Sequence, residues 1–215
     1  MLGKQVMTRC GIKALFPIKR IFGRRRMSKK EWAELCDSVT NRMVAHVRPH
    51  VSPLFRSRTK PRLLEGSGSF VEASDSKAVI TCEHVSRGRD LDFVLLGLAQ
   101  TYGLGLSVNC EPEPVDVEIV SLKPGNWSAD CHKSCTIPKR RFALRHDPSC
   151  MEEMMFIHGF AKENSGVGFG ALLPASTGYL TQVIAECSSE DDMFELFWDP
   201  GKETYSSATS PDLRE

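Results

Sequence analysis

The chain is 215 residues long and 41% hydrophobic, enough for one domain with a sizeable core or for two small barrels sharing an interface. Its formal net charge is only +1, so no global bias points to a nucleic-acid partner or an acidic substrate. No run of about 18 apolar residues occurs, which excludes a transmembrane helix on length.

The charge is unevenly spread along the chain. Between Met1 and Lys30 stand Lys4, Arg9, Lys13, Lys19, Arg20, Arg24, Arg25, Arg26, Lys29 and Lys30, with no Asp or Glu among them. A secretory signal needs an unbroken apolar stretch of about 7–15 residues, and Lys13, Lys19 and Arg20 interrupt every candidate. Secretion is therefore not expected, and the cytoplasm is the expected location. The arm reads either as a targeting segment or, because Met27 and Ser28 precede a clean helix start, as an upstream extension without a structural role. Contact with nucleic acid or anionic lipid is disfavoured, since only Phe16 and Phe22 are interleaved with the charges.

Ser28-Lys29-Lys30-Glu31 has the form of a capping box, in which the serine hydroxyl and the glutamate each satisfy an early helical amide. From there Trp32, Leu35, Cys36, Val39, Met43 and Val47 recur at three- and four-residue steps. That spacing predicts one apolar stripe on a packing helix that ends near Pro49, outside the core fold. Residues 48–63 hold Pro49, Pro53 and Pro61 among Arg and Ser, a composition that reads as a linker. The expected organisation is a basic extension at 1–27, an amphipathic helix and linker at 28–63, and the principal domain at 64–215.

After Gly66 the texture changes to short β-type runs: Ser69–Val71, Lys77–Cys82, Asp92–Leu98, Val115–Val120, Met154–Ile157, Tyr179–Ala185 and Met193–Phe197. Many short strands without helical periodicity between them predict an antiparallel barrel or sandwich. The eight cysteines are scattered, as expected of reduced thiols rather than a disulfide framework. Cys131, His132, Cys135, His146 and Cys150 cluster in sequence but lack the short C-x2-C spacing of structural zinc sites, so no metal is expected there.

The strongest local signal is Gly66-Ser67-Gly68-Ser69-Phe70-Val71, a turn, and then Ala78-Val79-Ile80-Thr81-Cys82-Glu83-His84-Val85. An apolar strand running through Val79 and Ile80 delivers an imidazole at its end, where it leaves the core and faces a cleft. This pair of segments resembles the trypsin-like serine peptidase family, in which a G-[ST]-G-F-[LV] strand forms a hairpin with a strand ending in T-x-x-H. The extra Ser69 and the Cys82-Glu83 pair depart from the commonest spelling. The resemblance implies that His84 is the general base. The carboxylate that orients such a histidine comes, in that family, from a D-[LIV]-[AE]-[LIV]-[LIV] strand, a form taken here by Asp116-Val117-Glu118-Ile119-Val120. Asp90 and Asp92 compete for the role but follow His84 too closely to return across a barrel without a sharp fold.

Glu153–Phe160 resembles a second-barrel strand of the family, which makes His158 a packing residue, and Tyr179–Ile184 and Phe194–Pro200 continue the resemblance. The implied fold is all-β, a trypsin-like double antiparallel β-barrel with the second barrel incomplete, preceded by an N-terminal helix. No G-x-S-G nucleophile motif occurs in these 215 residues. The expectation is thus a triad represented by His84 and Asp116 alone, with Ser165 of Asn164-Ser165-Gly166 a weak substitute because it falls where the family has a surface loop. Such a chain is expected to be inactive by itself and to act on, or bind, a peptide or protein substrate without metal or organic cofactor. The alternative is a non-catalytic peptide-binding pseudoprotease, against which the presence of both His84 and Asp116 speaks. An open second barrel would leave strand edges for a partner chain or the N-terminal helix to cover.

Overall fold

The computed structural model describes residues 28–59, 62–73, 76–98, 100–127, 132–142, 154–161, 166–168, 171–173, 176–186, 194–196 and 204–206. The basic arm at 1–27, together with Cys131, His146, Cys150 and Ser165, lies outside the described residues. The chain divides into two compact units, Met1–Asp37 and Ser38–Glu215.

In the first unit, helix α1 (Lys29–Val47) starts as its capping box predicts. The Ser28 amide donates to Glu31 Oε2 at 2.8 Å, and the Glu31 amide donates to Ser28 Oγ at 3.2 Å. Two otherwise orphan amides are satisfied reciprocally. The helix runs on into the second unit, where Met43 and Val47 of the predicted stripe are half-buried and Val39 departs from it. Val39 is 37% exposed, whereas Thr40 is buried.

The second unit opens with a closed, wholly antiparallel six-stranded barrel. Its strands are β1 (Val51–Arg56), β2 (Leu64–Ala73), β3 (Ser76–Thr81), β4 (Leu91–Val94), β5 (Thr101–Glu111) and β6 (Val117–Leu122), in the order β1-β2-β3-β6-β5-β4. The linker expectation for residues 48–63 is corrected here, because β1 lies inside that segment and pairs with strands on both sides. Two local devices accommodate Pro53 in the ladder. A register shift falls just after it, between Leu54 and Phe55. The fully buried Ser52 hydroxyl also bridges to β4, donating to the Val94 carbonyl and accepting from the Val94 amide, each at 2.9 Å. Proline is tolerated in sheets next to such irregularities.

Inward-facing residues of all six strands meet in one core: Leu54, Phe70, Val79, Leu91, Phe93, Leu104 and Val120, joined by Val85 and Leu95. Phe70 stands edge-on to both Phe93 (5.7 Å) and Trp127 (5.0 Å). Gly68 has a steric reason to be glycine, since a Cβ there would sit 2.3 Å from Val79 Cγ1.

The remaining described strands are β7 (Met154–Phe160), β8 (Gly166–Gly168), β9 (Ala171–Leu173), β10 (Ser176–Glu186), β11 (Phe194–Leu196) and β12 (Thr204–Ser206). β10 pairs antiparallel with β7, β11 and β12 in a four-stranded sheet, and β8 pairs with β9. This sheet abuts the barrel at Ser67, whose hydroxyl accepts the Phe160 amide at 2.6 Å and donates to the Phe160 carbonyl at 3.3 Å. Among the described residues no helix is long and apolar enough to cross a membrane.

Candidate active site

Strand β3 pairs with β6 in a register that sets Ala78 opposite Ser121 and Thr81 opposite Glu118. Two residues further on, the same register sets Glu83 opposite Asp116, and the Glu83 amide donates to the Asp116 carbonyl at 3.4 Å. At that point the chain leaves the sheet. Cys82 is extended (φ −71°, ψ 140°) and caps helix α2 (Glu83–Ser86), a single turn. Val85 enters the barrel core while the His84 side chain, 61% exposed, points outward.

The imidazole meets Asp116. His84 Nδ1 lies 2.5 Å from Asp116 Oδ2, and the His84 amide donates to Asp116 Oδ1 at 2.9 Å. Each carboxylate oxygen is held by a different group of one residue, so the carboxylate plane and the ring position are fixed together. Asp116 adopts a left-handed backbone (φ +53°), tolerated by aspartate better than by most L-residues. These bonds favour the ionised form. The His84 amide foremost, and then the His84 ring, hold the Asp116 carboxyl below the usual carboxylate range.

Supporting contacts surround the pair. Glu83, buried, forms a two-pronged ion pair with Arg87 one turn on, its Oε1 2.5 Å from Arg87 Nε. That pair holds its carboxyl low and clamps α2. Ser86, at the end of α2, donates its hydroxyl to Glu118 of β6 beneath it. Cys82 is a free thiol beside Asp116, and partial burial and then the Asp116 charge push its pKa up.

The other sequence candidates lie elsewhere. Asp92 accepts the Ser57 hydroxyl at 2.6 Å, and the Asp90 carbonyl accepts the Ser57 amide at 2.8 Å, so both serve the barrel turn after β1. His158 sits on β7 with its ring stacked on Phe156 (6.2 Å, 23°) and edge-on to Phe160. Neither of its ring nitrogens has a hydrogen-bond partner, and burial pushes its pKa down. A cavity of about 620 Å³ opens among Ser57, Arg89, Asp92, Gly103, Glu118 and Lys123, and neither His84 nor Asp116 lines it. Among the described residues no hydroxyl bonds His84 Nε2.

The structure thus brings His84 and Asp116 together and leaves Asp90, Asp92 and His158 apart from them. Sequence reasoning treated Cys82 only as a spelling departure, although its place two residues before His84 was the signal that a thiol would stand at the same strand end. Comparison with protein-family models, with curated proteins and with solved structures finds no match.

Proposed function

We propose that this chain carries the base half of a serine-peptidase site of the trypsin-like type, with His84 as general base and acid and Asp116 as its orienting carboxylate. In this reading the sheet of β7, β10, β11 and β12 stands where the family has its second barrel. The reading rests on one observation above the others: Nδ1 of His84 is engaged by an ionised carboxylate while the ring remains largely exposed. Donation of Nδ1–H to Asp116 leaves the lone pair on Nε2, which then takes the proton of a serine hydroxyl as its oxygen attacks a peptide carbonyl. The carboxylate stabilises the resulting imidazolium, which returns the proton to the leaving amine.

The test is hydrolysis of fluorescent casein by the full chain, with labelling by a serine-directed fluorophosphonate as a second readout. Turnover and a labelled serine that both vanish in His84→Ala support the role of His84 and would identify a nucleophile that no G-x-S-G motif marks in these 215 residues, and Asp116→Asn is then expected to lower kcat by about 10⁴-fold. Turnover undiminished in His84→Ala would defeat it. The second reading, a peptide-binding module, is favoured by the lack of a described hydroxyl at Nε2. It predicts neither turnover nor label, but saturable binding of casein peptides by fluorescence anisotropy.

A further inference from the structure

Three donor atoms of different softness converge at the end of β3. The thiol of Cys82, a ring nitrogen of His84 and a carboxylate oxygen of Asp116 all lie within 4.8 Å of one another. Each is placed by a separate constraint: Cys82 by its capping position on α2, His84 by the core anchor at Val85, and Asp116 by its left-handed backbone. We propose that Cys82, His84 and Asp116 form a three-ligand site for a zinc-class divalent cation, and that occupancy of this site switches off the His84 base.

The chemistry selects the ion. One thiolate, one imidazole and one carboxylate suit a borderline-soft, tetrahedral cation rather than magnesium or calcium, which require oxygen donors. Zinc bonds of about 2.3 Å to sulfur and about 2.0–2.2 Å to nitrogen and oxygen put ligand atoms roughly 3.3–3.6 Å apart in a tetrahedron. Reaching that spacing takes movements of about 1 Å: the wider pairs close from 4.8 Å or less, and the 2.5 Å contact of His84 Nδ1 with Asp116 Oδ2 opens, with the Cys82 and His84 side chains exposed and free to move. Three protein ligands leave the fourth position to water.

Loading exchanges protons for metal. The Cys82 thiol releases its proton to solvent as a zinc–sulfur bond forms, and the Nδ1 proton that His84 donates to Asp116 passes through solvent to Nε2 as Nδ1 gives its lone pair to the metal, so Nε2 no longer holds a lone pair for a hydroxyl proton. The inhibitory half of the inference rests on His84 being the base proposed above. The binding half does not, because three ligands converge whatever the site does.

Cobalt(II) replaces zinc and reports its own ligands, so the experiment is a cobalt titration of the full-length chain without substrate. It is done in a Cys131→Ala/Cys135→Ala background to remove the two thiols that stand closest together in the sequence. Expected are intense visible bands of tetrahedral cobalt and a sulfur-to-cobalt charge-transfer band, both abolished by added zinc. Cys82→Ser should remove the charge-transfer band, and His84→Ala and Asp116→Ala should each weaken cobalt binding by about tenfold or more. Thermal melts establish that each variant is folded, and the three substitutions keep the test decisive should one fail to fold. Absence of tetrahedral bands, or an undiminished charge-transfer band in Cys82→Ser, would overturn the site. Casein turnover left unchanged by saturating zinc would overturn the inhibitory half, and cobalt binding as expected with no turnover at all would keep the site while removing its inhibitory role.

Discussion

Asp116 concentrates several constraints in one residue: a left-handed backbone, two bonds from His84 and a carbonyl paired with Glu83. Because its carboxyl titrates lower in the folded chain than the unfolded value of about 3.9, its contribution to stability is complete above that value. It is lost as pH falls through the depressed folded value. Thermal melts of Asp116→Asn should therefore show a flatter acid limb below pH about 4 than the native chain, and an unchanged limb would mean the carboxylate is unbonded in solution. His158 acts in a different window. Burial lowers its pKa, so the unfolded chain binds a proton that the native chain resists once pH falls below about 6.5. His158→Phe, which keeps the aromatic row with Phe156 and Phe160, is expected to reduce the loss of stability between neutrality and that lower value. A melt series with the same slope in both chains would refute this. At Gly68 the missing side chain is the point: Gly68→Ala must displace Val79 and is expected to cost about 1–3 kcal/mol in urea unfolding.

Among the elements, β1 best separates what composition tells from what pairing does. Pro49, Pro53 and Pro61 make residues 48–63 look unfit for a ladder, and in isolation they are. The strand exists because β2 and β4 flank it and because Ser52 turns its hydroxyl into a ladder partner for Val94. Removing that hydroxyl leaves the half-buried Val94 amide and carbonyl without it, so Ser52→Ala is expected to destabilise the chain by about 1–3 kcal/mol. A change of a few tenths would show that the two strands re-pair directly. Helix α1 is the opposite case. Its start was legible in Ser28 and Glu31 because capping is local, whereas the burial of Thr40 and exposure of Val39 were not, because the packing partner chooses which residues are covered. The hairpin of β2 and β3 was also legible, its glycine-rich first strand and alternating apolar residues being short-range signals.

At the scale of the whole molecule the barrel closes only when β1 meets β4, a contact between chain segments far apart in sequence. Its core is most exposed to error at Phe70, fully buried and touching both Phe93 and Trp127, so Phe70→Ala is expected to cost about 3–5 kcal/mol. The denaturation midpoint should fall while its slope stays constant. The sequence by itself determined the mostly β character, the helix start and the strand that leads to His84, although the histidine itself stands on α2 beyond the strand's end. Each depends on neighbours within a few residues: alternation, capping and turn chemistry. Tertiary structure alone decided the strand at 51–56 and the convergence of Cys82 on the site, and it sets against the ring the Asp116 that the resemblance had singled out over Asp90 and Asp92. The strand turns on its pairing with β2 and β4, and the meeting of Cys82, His84 and Asp116 on the register between β3 and β6, relations between distant segments.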